Sequence, residues 1–328
     1  MDNPLDVSCK IFIQNRDIIK TTFKWDSNYM FPICSSIFIG KGTIPNKETL
    51  VKCNQLLKEN TSSFSNFNSI LKPVIVSTLS TYTNPQMNLK NALKIYDMLK
   101  KEFRSSEYLV VSSMMLAELN LDNDEYVHVI NKSREIYKLL KLNHPLLTSN
   151  EDIVFCTFAA LSPNPPEHIS KSAEECYVLL KPYFSSANAV QSLAHIISLY
   201  DGNPSEKVAK VITLYNTLKS KGYKYGKGYD LASIGILAML PLTLDKIIED
   251  LVYLDNFLST QKGYGLFGFS KCNKLMHASM LLCSHYLEDS IKTNIPALTF
   301  TLSLFIAQQF VIIITCITAS AAASAAST

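Results

Sequence analysis

The feature that most narrows what this chain can fold into is a repeat. Tyr96-x-x-Leu99-Lys100 returns as Tyr137-x-x-Leu140-Lys141, Tyr177-x-x-Leu180-Lys181 and Tyr215-x-x-Leu218-Lys219, with the tyrosines 41, 40 and 38 residues apart. Each copy is followed by a turn-rich stretch and a second apolar segment. A period near forty with two apolar segments per copy is the pattern of stacked helical hairpins, none of which can bury its apolar face alone. Tyr and Leu three apart share one helix face and are read as packing onto the second helix of their own hairpin.

The rest of the chain fits the same scheme. A first helix is expected over residues 5–25, then Met30–Ile39, Glu48–Lys58 and Ile70–Leu79. After these, Lys-bearing amphipathic A helices are predicted near 90–102, 131–142, 171–181, 205–220 and 244–259. Nearly uncharged B helices are predicted near 106–119, 150–161, 187–200, 229–240 and 271–287. B segments such as Val154–Leu161 are apolar on most faces and belong between neighbours. No period-two run is long enough for a sheet. The expectation is all-α, tandem hairpins of about forty residues forming a superhelical α-solenoid, with a closed α/α toroid as the alternative. Residues 1–292 form the repeat domain and 293–328 a separate tail.

Composition excludes several classes. A net charge of +3 on 328 residues is too weak for a nucleic-acid surface. Eight cysteines without a C-x-x-C pair, mostly inside apolar patterns, point to a reducing, cytoplasmic setting without a disulfide framework. The polar Met1-Asp2-Asn3-Pro4 start shows no secretory signal.

Candidate sites are sparse. The polar junction Asn143–Asp152 pairs Ser149 with Asp152 at capping-box spacing. It also offers His144 and Asp152 as a polar pair at a groove edge, able to bind a ligand or move protons. Gly263-x-Gly265-x-x-Gly268 matches the dinucleotide fingerprint in letters only: a helix precedes it where a strand is required. It is read as a flexible or tightly turned A–B loop. Cys272, His277, Cys283 and His285 point in several directions on one helix, so no metal is expected. No catalytic motif and no cofactor site is visible. The lysines following the motif leucines, Lys58, Lys100, Lys141, Lys181 and Lys219, would line up in a solenoid. They form either a basic stripe for an acidic partner or anionic membrane, or dipole partners in each last helical turn.

From Thr293 onward there is no charged residue. Twelve large apolar residues between Pro296 and Ala319, among them Phe300, Phe305, Phe310 and Ile313, would favour bilayer insertion by very roughly 4–7 kcal/mol. Gln308 and Gln309 near the centre oppose it unless they pair between helices. Three readings stay open: a membrane anchor at the inner face of the cell membrane, a helix packed on the last repeat, or a homo-oligomer segment.

The chain resembles a bacterial family, domain of unknown function 4003. The likeness rests on Phe23-Lys24-Trp25, the repeated Tyr-x-x-Leu-Lys, Asn143-His144-x-x-Leu147-Thr148-Ser149, Gln261-Lys262-Gly263-Tyr264-Gly265 and Ala307-Gln308-Gln309. It spans nearly the whole chain, and its tail departs in carrying Phe and Ile where the family has more alanine. The resemblance implies a helical fold of one family-length unit and no particular activity. Two functions follow from the residues: a non-catalytic interaction scaffold with a protein or lipid partner, or an enzyme or carrier with a central apolar pocket for a lipid-like ligand.

Overall fold

The computed structural model describes residues 5–24, 26–223, 228, 231–265 and 268–292. Among these residues every regular element is helical. The A helices are α1 (Leu5–Thr22), α3 (Lys47–Asn60), α5 (Pro85–Glu102), α7 (Asn123–Asn143), α9 (Pro166–Leu180), α11 (Pro204–Ser220) and α13 (Leu244–Ser259). Alternating with them are the B helices α2 (Met30–Gly40), α4 (Lys72–Ser80), α6 (Glu107–Glu118), α8 (Asp152–Ala160), α10 (Ala187–Ser198), α12 (Leu231–Ala238) and α14 (Lys271–Lys292). Trp25 and the tail positions Phe300, Phe305, Gln308, Gln309, Phe310 and Ile313 lie outside the described residues. Among the described residues, no helix is long and apolar enough to cross a membrane.

The helices begin where capping chemistry dictates. Asn84 accepts from the Met87 amide and Asn203 from the Ser205 amide, each just before a proline at the first helical position. Asp122 and Glu125 exchange side-chain bonds with each other's amides at 2.8 Å, a complete capping box at the start of α7. These signals precede the first apolar position, so α5, α7 and α9 start 5, 8 and 5 residues before the expected 90, 131 and 171. The B helices differ in kind. Every residue of α2, α8 and α12 is buried.

Two compact units make up the chain: Met1–Cys9 with Lys132–Tyr286, and Lys10–Asn131 with Leu287–Thr328. In the first, A helices pack on A helices (α9 on α11, α11 on α13) and B on B (α8 on α10, α10 on α12), while α9–α10 and α11–α12 pair as hairpins. The second repeats this with α3 on α5, α2 on α4, and the hairpins α3–α4 and α5–α6. Each hairpin thus contributes one helix to each of two layers. The motif leucines are the pins of the layering. Leu99, Leu180 and Leu218 have no exposed surface and Leu140 almost none; Leu57 and Leu258 occupy the same position in α3 and α13. Burying each contributes about 1.5–3 kcal/mol. Gly235 of α12 shows how close the B helices come: a Cβ there would lie 2.7 Å from Leu193 of α10. In the first unit the opening turn of α1 is held by the last hairpin. Asp6 accepts from the Tyr253 hydroxyl, and Ser8 Oγ lies 2.8 Å from His285 Nδ1.

Burial governs the thiols. Desolvation pushes the thiols of Cys9 and Cys34 up to about 12 and that of Cys176 up to about 11, from an ordinary 9.0. A folded thiol then keeps a proton that the unfolded chain releases near 9.0. The unfolded state binds fewer protons, so stability is full below pH 9 and falls as pH rises from 9 toward about 12. The fall is at most about 1.4 kcal/mol per pH unit for each such thiol. Urea midpoints should drop between pH 8 and about pH 10.5, and Cys34→Ala should drop less than the unaltered chain. An equal drop contradicts a sheltered Cys34.

Candidate functional site

The A–B loops place a ring at a recurring position. In the second unit, Phe67 of the α3–α4 loop sets its edge against Tyr96 of α5, with centroids 5.2 Å apart. The Tyr96 hydroxyl is held by Asn66 and Ser105, both at 2.8 Å. In the first unit, Phe184 of the α9–α10 loop meets Tyr215 of α11 at 5.0 Å, again edge-on. His144 of the α7–α8 loop meets Tyr177 of α9 at 4.4 Å. Each motif tyrosine named here therefore receives a ring from the preceding hairpin. The motif lysine also approaches the ring: Lys100, Lys181 and Lys219 lie 5.5, 6.0 and 5.7 Å from the rings of Tyr96, Tyr177 and Tyr215. The spacing i to i+4 puts the ammonium over its own helix's ring.

The lysine stripe is therefore not uniform. Lys141 leaves Tyr137 to Arg134, 5.7 Å from the ring, and donates instead to the Thr148 carbonyl at 2.6 Å. Lys58 is exposed on α3, where Asn54 stands at the tyrosine position.

The α7–α8 loop is a densely bonded polar segment. Asn143 donates to Ser170 Oγ at 3.2 Å, and His144 Nε2 meets Glu174 Oε2 at 2.6 Å, both on α9. Thr148 donates to the Leu140 carbonyl and accepts from Gln191 of α10, each at 3.1 Å. The Ser149 amide donates to Asp152 Oδ2 at 2.7 Å, the carboxylate half of the expected capping box. Asp152 Oδ1 faces His195 Nδ1 at 3.2 Å, with both side chains 5 % exposed. Phe155 stacks on the His195 ring at 4.2 Å and 10°.

His144 and Asp152 thus belong to one segment but do not pair: His144 takes Glu174 and Asp152 takes His195. The carboxylate thus faces His195 on its Nδ1 side, within ion-pair distance. Cys156, one turn after Asp152, is pushed up well beyond the ordinary thiol range by burial and then by that carboxylate. As a buried neutral thiol it is a poor nucleophile. Reading the sequence missed His195. Its signal was Gln191 and His195 one turn apart in an otherwise apolar helix.

Gly263 and Gly265 lie in a tight turn. The Phe269 amide donates to the Gly263 carbonyl and the Gly268 amide to the Gly265 carbonyl, both at 2.9 Å. Tyr264 is tucked inward, its hydroxyl 3.0 Å from His277 Nδ1, and Phe269 packs against the same imidazole. His277 and His285 thereby face different partners, Tyr264 and Ser8. Among the described residues, no group of three His, Cys, Asp or Glu is placed to hold a metal ion.

These features define a class: a protein that is all-helical among the described residues, in which loop rings meet tyrosines of the helix that follows. The chain belongs to the family described as "Protein of unknown function (DUF4003)", whose pattern it matches over residues 15–310. It is similar to "Uncharacterized protein YeaA" of Bacillus subtilis (strain 168), 20% identical over 284 residues that cover 84% of this chain and 83% of that protein. No solved structure matches the chain.

The glycine turn gives a direct check. A Cβ on Gly268 would sit 1.9 Å from the Gly263 carbonyl oxygen, whereas one on Gly265 meets nothing within 4 Å. Gly268→Ala should cost about 1–3 kcal/mol in denaturant unfolding, and Gly265→Ala should stay within about 0.5 kcal/mol. Similar losses for both would contradict the turn.

Proposed function

We propose that the chain is a non-catalytic binding scaffold: tandem hairpins, residues 1–292, that hold their A–B loops rigid so the loop tips can engage a partner. The tail from residue 293 remains a separate element in this reading. The observation that carries it is Leu146. This leucine is 96% exposed although it lies between His144 and Thr148, both firmly bonded. A loop anchored so densely presents its apolar tip by construction, which is what this reading asks of a docking point. Leu142 at 78% and Tyr183 at 59% expose further apolar surface at the ends of α7 and α9. Tandem arrangement draws support from the A-on-A and B-on-B packing within each unit.

A second reading, an enzyme or carrier for a lipid-like ligand, draws support from the buried Asp152–His195 pair, the kind of oriented imidazole that general-base sites use. The two separate experimentally. A photoreactive phenylalanine analogue at position 146 or 183, in cells, should give covalent adducts, while the same probe at exposed Glu206 gives none. Adducts should persist in His195→Gln. Equal labelling at 206, or no adduct at 146 and 183, contradicts the scaffold reading.

A further inference from the structure

We propose that the uncharged tail from Thr293 docks on the first hairpin of the second unit. Its apolar residues lie along α2, and Gln308 or Gln309 pairs with the carboxamide of Asn15.

Four observations carry this. First, Asn15 lacks a partner. It sits between Phe12 and Ile19 on the core face of α1, and all three are fully buried. Neither Oδ1 nor Nδ2 of Asn15 has a hydrogen-bond partner among the described residues. A buried amide without partners is costly, and protein interiors supply them. Second, α2 is covered on more sides than two neighbours can reach. Ser35 Oγ donates to the Phe12 carbonyl of α1 at 2.7 Å, and α4 packs along another side. Yet all 11 residues of Met30–Gly40 are buried, although α2 is the first B helix of the array. Third, Leu287–Thr328 groups with Lys10–Asn131, not with the residues of α13 and α14 that precede it. The tail and the hairpin that needs a cover thus belong to one unit. Fourth, the chemistry matches. Neither α2 nor the chain from Thr293 onward carries a charge. Gln308 and Gln309 stand between Phe305-Ile306-Ala307 and Phe310-Val311. Burying that apolar stretch also takes the two carboxamides out of water, so they too need partners. A carboxamide both donates and accepts, so a second carboxamide satisfies it at both ends. Bilayer hydrocarbon offers no such group. The docking does not involve the loop tips, so its failure would leave the scaffold reading standing.

The test uses the full chain, dilute and free of detergent. A photoreactive phenylalanine analogue at position 310 should crosslink within one chain. Digestion and mass spectrometry should place the adducts in Lys10–Gly40. Adducts in Lys132–Tyr286, adducts that join two chains, or no adduct at all would overturn the proposal. A urea double-mutant cycle tests the amides. Asn15→Leu should destabilise the fold, as should Gln308→Leu with Gln309→Leu, because each strands the other partner. With all three changes together, the folding equilibrium constant should exceed the additive expectation by about tenfold. Additive losses overturn the pairing. The crosslink needs none of these leucine variants, so it decides the docking even where one of them is too unstable to fold.

Discussion

The fold depends on a ring from one hairpin lying against the motif tyrosine of the next. The B helices α2, α8 and α12 are sealed on all sides, so they cannot fix register by presenting a polar face to water. The A helices can. Their buried leucine sets depth, and the tyrosine three residues earlier sets position, in contact with a loop ring and with its own lysine. Such edge-on aromatic pairs contribute about 0.5–1.5 kcal/mol beyond area burial. Present at Tyr96, Tyr177 and Tyr215, that directional contact narrows the many stackings that greasy helices would tolerate.

Departures from the repeat are where the chemistry collects. His144 occupies the loop position that Phe184 fills one hairpin later, and an imidazole there needs a polar partner, which Glu174 provides. Asp255 stands three residues before Leu258, at the tyrosine position of α13, and it finds Lys274 of α14 at 3.0 Å. Asp250 on the same helix is buried against Lys246 and the Tyr286 hydroxyl. The charged replacements, His144 against Glu174 and Asp255 against Lys274, are thus matched within their unit, as the cost of leaving a buried charge unpaired requires. The α7–α8 loop gathers several such bonds, which is why its tip can hold a leucine out in water.

Much of this was legible in the sequence. The forty-residue period, the all-helical class and the alternation of charged and apolar helices follow from the spacing of Tyr, Leu and Lys. The starts of α5, α7 and α9 differ from expectation because their apolar pattern begins after Asn84, Asp122 and Pro166, whereas α11 and α13 begin within a residue of the expected 205 and 244. Loop rings were legible in principle, since His144 and Phe184 each follow a motif leucine by four residues. Their role was hidden because a loop aromatic has no periodicity of its own. Asp152 was singled out, but its partner was not. His195 lies 43 residues away, on a helix whose pattern reads as core, and only packing of α8 on α10 joins them.

The most direct test of the ring-to-tyrosine contact is a double-mutant cycle on Phe184 and Tyr215. Phe184→Leu, Tyr215→Leu and the pair together are unfolded in urea, and the coupling energy is the departure from additivity. The account predicts a favourable coupling of about 0.5–1.5 kcal/mol. Additive losses would mean the rings merely fill space, and hairpin register would have to come from something else.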